Sequence, residues 1–295
     1  MTSLSVCPCC GSSSFSPHLK STDHTVSHET FDIIRCNNCS FLATSPRPDD
    51  NELPTYYQAV SYISHNNRAN SFFDIVYRAV RHYTLRWKHQ LLNQYSQPGQ
   101  SKILLDYGCG TGDFLHHCHK RGWNAYGVEP STAARQQIPL PTKKNVLSQF
   151  EPAALPKANA ITLWHVLEHI PDLPQTIAQL RDHLAPSGTL FIAVPNPNSQ
   201  NAQHYGNTWA AYDVPRHLWH FTPSTMARIL ANHKLTIYKT LPMTLDAYYV
   251  SLLSEQYQNR AKPAAAINAF VQGVQSNRAA KRNGQYASLI YIVRP

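Results

Sequence analysis

The sequence predicts an α/β fold in which a small metal-binding module precedes a doubly wound, mainly parallel sheet. Three observations predict it. Strand-like and helix-like patterns alternate through the middle of the chain, a glycine-rich turn joins a buried strand to a helix within residues 103–114, and five of the seven cysteines lie in the first 39 residues. Alternating strands and helices form right-handed crossovers, which produce a parallel sheet with helices on its faces.

Length and composition fit one substantial domain plus a small one. The chain has 295 residues, of which 42% are hydrophobic, enough to bury a core. No apolar run approaches the length of a membrane span, and the first six residues lack the features of a secretory signal, so we expect a cytoplasmic protein without a membrane partner. The net charge of +9 favours RNA or anionic substrates, but the basic residues are scattered, as on solvated helix faces.

The N-terminal cysteines predict a zinc ribbon over residues 1–48. Four of them form two C-x-x-C pairs, and these are Cys7, Cys10, Cys36 and Cys39. Each pair can place two thiolates on one metal ion, and two pairs complete a tetrahedral, structural Zn²⁺ site. Disulfides are the alternative, which a cytosolic location disfavours. Cys9 could replace Cys10 as a ligand.

Residues 49–97 are predicted to form a helical linker or lid, since helical periodicity runs from about residue 56 to 95. The main domain, 98–295, follows. After the strand that begins at 103, strands are predicted at 124–129, 146–150, 160–166, 189–194, 235–240 and 288–293. The last two are separated by a mostly helical insert, and we expect them to pair as an antiparallel hairpin.

The glycine-rich turn predicts a ligand without phosphates. Asp106 ends the strand, and Gly108, Gly110 and Gly112 follow at alternate positions, which lets the backbone approach a ligand closely. A dinucleotide-binding turn has the pattern G-x-G-x-x-G. Here Asp113 stands where the third glycine would be, and its charge would repel a pyrophosphate.

Glu129 indicates an adenosyl ligand. It ends the next predicted strand, 21 positions after Gly108. In a doubly wound sheet this position lies beside the glycine turn, where a carboxylate can accept hydrogen bonds from both ribose hydroxyls.

The segments LLDYGCGTGDFL, YGVEPS, ITLWHVLEHIPDL and APSGTLFIAVPNPNS, in this order, resemble the class I S-adenosylmethionine (SAM)-dependent methyltransferases. CPCCG, RCNNCSFLATSPRP, YISH and DVPRHLWHFTP resemble a bacterial subgroup with an N-terminal four-cysteine zinc ribbon. The resemblance implies a Rossmann-like, seven-stranded sheet with a zinc ribbon and a helical lid segment, SAM as cofactor, and a structural Zn²⁺.

The resemblance also implies a set of cofactor-binding residues. They are Asp106, Gly108, Cys109, Gly110, Glu129, Pro130, Gln149, His165 and Tyr62. Asp106 and the glycines would line the methionine moiety, and Pro130 would lie against the adenine. Gln149 stands where such proteins often carry an acid. Tyr62, in the YISH segment, would belong to a lid, although packing at a helix start is equally consistent with its position.

His165 ends the fourth predicted strand, where a parallel sheet binds its ligands. We expect it to approach the sulfonium or the acceptor, and a satisfied polar core residue is the alternative. With Glu168 and His169 it also has the spacing of metal ligands. Related ubiquinone-pathway O-methyltransferases bind a divalent ion here through acids and a histidine, but this chain has His165 in place of an acid.

The segment 213–221 contains the predicted catalytic groups. Loss of a proton from the acceptor requires a base, and we expect His217 or His220 to serve, with Arg216 anchoring an acidic acceptor and His165 nearby. The alternative is a lid held together by Asp213–Arg216 pairing and aromatic packing.

These patterns predict a SAM-dependent methyltransferase acting on a small molecule by O-, N- or C-methylation. RNA methylation is the main alternative, and a non-catalytic SAM-binding scaffold is a third. Asn196-Pro197-Asn198 differs from the motif with which amino-group DNA methyltransferases hold a flipped base, so no DNA partner is expected. The acceptor and the oligomeric state are left open by the sequence.

Overall fold

The structure, a computed structural model, describes residues 1–57, 72–96, 102–258 and 260–295. Its strands are β1 (Phe15–Thr22), β2 (Thr30–Cys36), β3 (Leu42–Thr44), β4 (Ile103–Tyr107), β5 (Asn124–Val128), β6 (Val146–Leu147), β7 (Ala158–Trp164), β8 (Leu184–Pro195), β9 (Trp219–His220), β10 (Thr236–Pro242) and β11 (Ser288–Arg294). Its α-helices are α1 (Phe72–Tyr95), α2 (Asp113–His119), α3 (Thr132–Gln137), α4 (Leu140–Lys143), α5 (Leu173–His183), α6 (Gln200–Tyr205), α7 (Pro223–Asn232), α8 (Asp246–Tyr257) and α9 (Lys262–Asn283).

The main sheet has seven strands in the order β10-β11-β8-β7-β4-β5-β6. Strand β4 runs parallel to both β5 and β7, and β5 runs parallel to β6. Leu104 and Leu105 of β4 and Ile161 and Leu163 of β7 are almost completely buried, as is typical of central strands in a parallel sheet. The seven-stranded doubly wound sheet predicted from the sequence is confirmed.

Several elements differ in length from their predictions. Strand β6 ends at Leu147, whereas the predicted strand continued to residue 150. It lies at the sheet edge, and its pairing with β5 ends opposite Val128, the last residue of that strand. Strand β8 begins five residues before the predicted Thr189. Strands β10 and β11 are neighbours, as expected for the final pair.

A second sheet has the order β1-β2-β3-β9. Strands β1, β2 and β3 pair antiparallel within the first 44 residues. Strand β9 comes from the distant segment 213–221 and pairs antiparallel with β3, so that Ala43 lies opposite Trp219 and Leu42 opposite His220. This long-range pairing was not predicted.

Aromatic packing explains why β9 joins this sheet. The buried Phe41 ring lies 5.9 Å from that of Trp219 and 5.7 Å from that of Phe221, measured between centroids. The Trp219 indole Nε1 also donates a hydrogen bond of 2.6 Å to the carbonyl of Ile170. Residues 219–221 are therefore fixed by burial and hydrogen bonding.

The chain forms two compact units. The first comprises Met1–Ala59, His165–Thr176 and Ala193–Tyr291, and the second comprises Val60–Trp164, Ile177–Ile192 and Ile292–Pro295. The predicted domain boundaries at 48 and 97 stay predictions. Within the described ranges, no helix combines the length and the apolar character that crossing a membrane requires.

Candidate functional site

The glycine turn after β4 has a left-handed backbone at three positions. The φ angles are 72° at Gly108, 54° at Gly110 and 75° at Gly112, which favour glycine. At Gly112 an added Cβ would lie 2.9 Å from Cγ2 of Ile138, so a larger residue is excluded by contact as well. At Gly110 a Cβ would meet no atom within 4 Å, so the turn leaves open space at this position.

Glu129 follows β5 and holds the turn. Its Oε2 accepts a hydrogen bond of 2.9 Å from the Gly110 N–H, and its Oε1 accepts one of 2.8 Å from the Ser131 N–H. The Val128 carbonyl accepts from the N–H groups of Gly108 and Cys109. The structure therefore brings Glu129, Gly108 and Gly110 together, as the sequence predicted.

Asp106 lies at the end of β4 and is buried. Its Oδ1 accepts a hydrogen bond of 2.6 Å from the Thr162 hydroxyl on β7, a partner that the sequence analysis did not identify. Burial raises the pKa of Asp106 to about 6. At neutral pH the site therefore contains a buried carboxylate that a cationic ligand would stabilise.

The other predicted cofactor residues differ in their surroundings. Cys109 is buried, Pro130 is exposed, and the exposed Gln149 donates a hydrogen bond to Glu151. Tyr62 lies outside the described residues.

Trp164, the last residue of β7, carries a hydrogen-bond donor without an acceptor. Its indole Nε1 is buried and has no hydrogen-bond partner among the described residues. The Lys88 ammonium lies 4.4 Å from the ring centroid, and the Phe114 ring packs edge-on against the indole. The sequence analysis gave this donor no role.

His165 holds its proton firmly. Its Nε2 lies 3.0 Å from Oδ2 of Asp246, and its Nδ1 lies 3.4 Å from Oε1 of Glu168. Burial alone would lower the pKa of His165, but hydrogen bonding and charge from Asp246 and Glu168 raise it to about 10. Its backbone is left-handed, with φ of 57°, an uncommon conformation for histidine. His165 is therefore a cation at neutral pH and a poor base.

Glu168, His169 and His217 form a cluster whose ligand-type atoms all lie within 4.8 Å of one another. The Glu168 carboxylate is buried, and within the described ranges neither oxygen has a closer polar partner than His165 at 3.4 Å. His169 Nδ1 lies 3.0 Å from the Arg216 carbonyl, and His217 Nδ1 lies 2.9 Å from the Ala211 carbonyl.

Because a carbonyl only accepts, His217 donates from Nδ1, which leaves a lone pair on its Nε2. Histidines that ligate metals commonly use this arrangement. His169 Nδ1 has two neighbours at 3.0 Å, the Arg216 carbonyl and the Tyr57 hydroxyl. These three residues can therefore hold a divalent ion or move a proton. Burial lowers the pKa of His169 to about 4, which keeps this ring neutral.

Arg216 lies in a buried ion-pair network and is only 2% exposed. Its Nη2 donates hydrogen bonds of 2.7 Å to Asp213 and 3.0 Å to Asp23, and its Nη1 donates one of 3.0 Å to the Tyr56 carbonyl. Burial alone would raise the pKa of Asp23, but hydrogen bonds from Arg216 and from backbone N–H groups hold it below its usual value. These contacts favour the structural alternative for Arg216 over binding of an acidic acceptor.

His220 is also enclosed. It is 4% exposed, and its Nε2 lies 3.1 Å from the Thr44 hydroxyl. That hydroxyl donates to the His217 carbonyl at 2.7 Å, so it accepts from His220. Burial holds the pKa of His220 well below its usual value. His220 thus resembles a packing residue of β9 more than a base.

The four predicted zinc ligands come together. Their Sγ atoms lie within 4.8 Å of one another, with Cys7 3.6 Å from Cys39 and Cys10 3.5 Å from Cys36. Tetrahedral Zn–S bonds of about 2.3 Å require S···S separations of about 3.8 Å, so the cluster fits Zn²⁺.

Cys9 is not one of the four cysteines whose Sγ atoms form this cluster. Its side chain is buried against α7, where Sγ lies 3.8 Å from the Thr225 carbonyl, and its own carbonyl accepts a hydrogen bond from Asn232. The structure therefore favours Cys10 over Cys9 as the ligand, a choice that the C-x-C-C spacing left open.

The comparisons with known proteins identify the family. A family model described as a methyltransferase domain matches residues 77–240, more than half of the chain. The chain belongs to this family.

Curated relatives match part of the chain. It is 30% identical over 139 residues to the malonyl-[acyl-carrier protein] O-methyltransferase of Serratia marcescens, a match covering 45% of this chain and 52% of that protein. It is 28% identical over 167 residues to the ubiquinone biosynthesis O-methyltransferase of Cupriavidus pinatubonensis, covering 49% and 64%. The chain thus spans about half to two thirds of the length of these relatives.

Solved structures share the fold. The geranyl diphosphate C-methyltransferase of Streptomyces coelicolor, in complex with Mg²⁺, geranyl diphosphate and S-adenosyl-L-homocysteine, matches with a TM-score of 0.51 and 17% identity, covering 77% of this chain and 85% of that one. A geranyl diphosphate methyltransferase in complex with SAM matches with a TM-score of 0.52 and 16% identity, covering 78% and 92%. The fold is that of the class I methyltransferases.

The Arg216 network predicts a pH-dependent loss of stability in Asp23→Asn. The substitution leaves a buried guanidinium short of one counter-charge and should lower the free energy of unfolding at pH 7 by about 3 kcal/mol. Since the pKa of Asp23 is depressed, its contribution is present above about pH 4 and is lost as the pH falls through the folded-state value. Urea unfolding at about pH 7, pH 4 and pH 2 measures both effects.

The matched control for this prediction is Asp32→Asn. Asp32 forms an exposed ion pair of 3.1 Å with Lys20 in the same sheet, and its loss should change the stability by less than about 1 kcal/mol. Equal effects of the two substitutions would contradict the role given to the buried network.

Proposed function

We propose that this protein is a SAM-dependent methyltransferase that methylates a small molecule. The observation that carries the proposal is the Glu129 carboxylate, fixed beside a glycine turn that has open space at Gly110. Membership of the methyltransferase-domain family supports it. So does the shared fold of structures that contain SAM or S-adenosylhomocysteine.

Glu129 has the hydrogen-bonding capacity that a ribose requires. An ionised carboxylate offers about four acceptor positions. In Glu129 the N–H groups of Gly110 and Ser131 occupy one position on each oxygen. One position on each oxygen is left, which suits the two ribose hydroxyls of SAM.

Asp106 supplies negative charge for the methionine end of SAM. It is buried and has a single neutral donor, the Thr162 hydroxyl, among its described contacts. The SAM ammonium would place a cation beside this carboxylate, with Gly108 and Gly110 presenting backbone to the same moiety.

Methyl transfer needs an acceptor lone pair and a destination for the acceptor proton. Bound SAM would supply an electrophilic methyl carbon, and an acceptor atom aligned with its carbon–sulfur bond would displace S-adenosylhomocysteine as a neutral thioether. We assign the proton to Nε2 of His217, whose lone pair is available because Nδ1 donates to Ala211. His165, already protonated, supplies positive charge instead.

A small-molecule acceptor is favoured by the relatives, whose names include malonyl-[acyl-carrier protein] and ubiquinone biosynthesis O-methyltransferases. RNA is the alternative acceptor, because a net charge of +9 favours binding to a polyanion. A salt titration distinguishes them, because binding of RNA weakens steeply with salt and binding of a small neutral acceptor does not.

The N-terminal module is proposed to be a zinc ribbon in which four cysteines hold a structural ion. Four cysteine ligands leave no position for substrate, so the ion would stabilise the fold rather than act in the reaction.

Glu129→Ala should weaken SAM binding by about 10- to 100-fold, because it removes charge-assisted hydrogen bonds to the ribose. Isothermal titration calorimetry with SAM and S-adenosylhomocysteine measures the effect. Glu52→Ala removes an exposed carboxylate elsewhere in the chain and should leave the affinity unchanged. Unchanged affinity in Glu129→Ala would refute the ribose assignment.

His217→Gln should lower turnover by at least about 100-fold while SAM affinity stays constant, since the general base is lost but the donor site is intact. His220→Gln should retain turnover within a few-fold. Release of S-adenosylhomocysteine is measured with a panel of hydroxylated, carboxylic and sugar acceptors. Full turnover by His217→Gln on an accepted substrate would exclude it as the base.

The purified protein should contain about one zinc ion per chain by elemental analysis. Cys10→Ala should lose the ion, because it removes one of four ligands, whereas Cys9→Ala should keep it. The reverse pattern, or a metal-free wild type, would overturn the assignment of the ribbon.

A further inference from the structure

The buried residues of helix α9 are all small. The buried positions recur along one side, and they are Ala265, Ala269, Gly273, Ser276 and Ala280. They allow close packing against α8, since a Cβ at Gly273 would lie 2.3 Å from Cδ1 of Tyr248. The side of α9 that faces α8 therefore has almost no large apolar side chain to bury.

The large apolar side chains of α9 are exposed, although the Phe270 ring also contacts that of Tyr248 on α8, with 5.7 Å between centroids. Ile267 is 66% exposed, Phe270 64% and Val271 41%, and spacings of three and four residues put them on one face. On α8, Tyr249 and Leu245 are also exposed, by 63% and 41%. This reverses the usual pattern of a surface helix, which turns its large apolar residues to the core. An exposed apolar cluster of this kind is a candidate interaction site.

Three cations continue this face toward the end of the helix. At about 100° per residue, Arg278, Lys281 and Arg282 project within about 60° of Ile267. All three are exposed, and none belongs to an ion pair in the described part of the chain. The sequence of α9 contains four Lys or Arg and no acidic residue. The outer face of α9 thus combines an apolar half with a positively charged half.

Charge complementarity identifies the partner. A second copy of this chain would bring together two faces without a carboxylate, in a chain whose net charge is already +9. A nucleic acid would pair with the cations but would gain little from the apolar half. The interface of an anionic bilayer offers both an apolar layer for Phe, Ile and Val and negative headgroups for Lys and Arg.

We propose that the outer face of α9, extended by Tyr249 and Leu245 of α8, binds the surface of anionic phospholipid membranes. Phe270 and its neighbours enter the headgroup region, and the cations of the last two turns contact lipid phosphates. The expectation of no membrane partner came from the lack of a spanning segment, which peripheral binding does not need. The proposal is independent of methyl transfer.

Sedimentation with vesicles tests the proposal. The full-length protein should bind vesicles of phosphatidylglycerol and phosphatidylcholine mixed in equal parts at least about 10-fold more tightly than vesicles of phosphatidylcholine alone. Lys281→Glu/Arg282→Glu should weaken binding by at least about 25-fold, since each cation near an anionic surface contributes roughly five-fold. Ile267→Ser/Phe270→Ser should weaken it by at least about 10-fold by removing the inserted apolar groups.

Matched controls make the same kinds of substitution at exposed positions outside α8 and α9. Leu140→Ser alters another exposed apolar residue, and Lys120→Glu/Lys144→Glu reverses two exposed charges; both should bind nearly as wild type. All of these positions are exposed, so circular dichroism should show unchanged folding.

Three outcomes would overturn the proposal. The first is equal binding to both vesicle types. The second is wild-type binding by both α9 variants. The third is a dimer seen by light scattering that Ile267→Ser/Phe270→Ser dissociates without any change in vesicle binding, which would assign this face to a second copy. SAM titration of the same variants should give wild-type affinity, so this proposal and that of methyl transfer can fail separately.

Discussion

The buried charge of Arg216 is the constraint on which the arrangement of the first unit depends. A guanidinium that is 2% exposed is stable only with counter-charges and acceptors around it. Asp23 after β1, the Tyr56 carbonyl and Asp213 supply them. Three segments far apart in the chain are thereby tied to one side chain.

The residues that follow Arg216 in the chain, and His169 beside it, are also fixed in position. The Arg216 carbonyl lies 3.0 Å from Nδ1 of His169, and the next residue, His217, donates a hydrogen bond to the Ala211 carbonyl. Two residues further on, Trp219 and His220 form the edge strand beside β3. The structural network therefore has a chemical consequence. It holds His217 in one tautomer next to the buried carboxylate of Glu168.

The glycine turn shows how much a local pattern can predict. Alternate glycines and a carboxylate after the neighbouring strand predict the site because parallel strands bring their carboxyl ends to one edge of the sheet. The hydrogen bond from Gly110 to Glu129 follows from that geometry. The hydrogen bond from the Thr162 hydroxyl to Asp106 could not be predicted in this way, because it depends on the register between β4 and β7.

The sequence by itself determined the α/β fold, the glycine turn with Glu129, and the four cysteines, because each rests on periodicity or on spacings within a short stretch. Only tertiary structure favours Cys10 over Cys9, since the preference rests on which Sγ atoms cluster and on packing of Cys9 against α7. It also gives His217 and His220 different hydrogen-bond partners and buries Arg216. The sequence could not predict this, because burial and the partners of a polar group are set by residues distant in the chain. The exposed apolar face of α9 has the same origin, because periodicity identifies an apolar side of a helix but not whether the fold covers it.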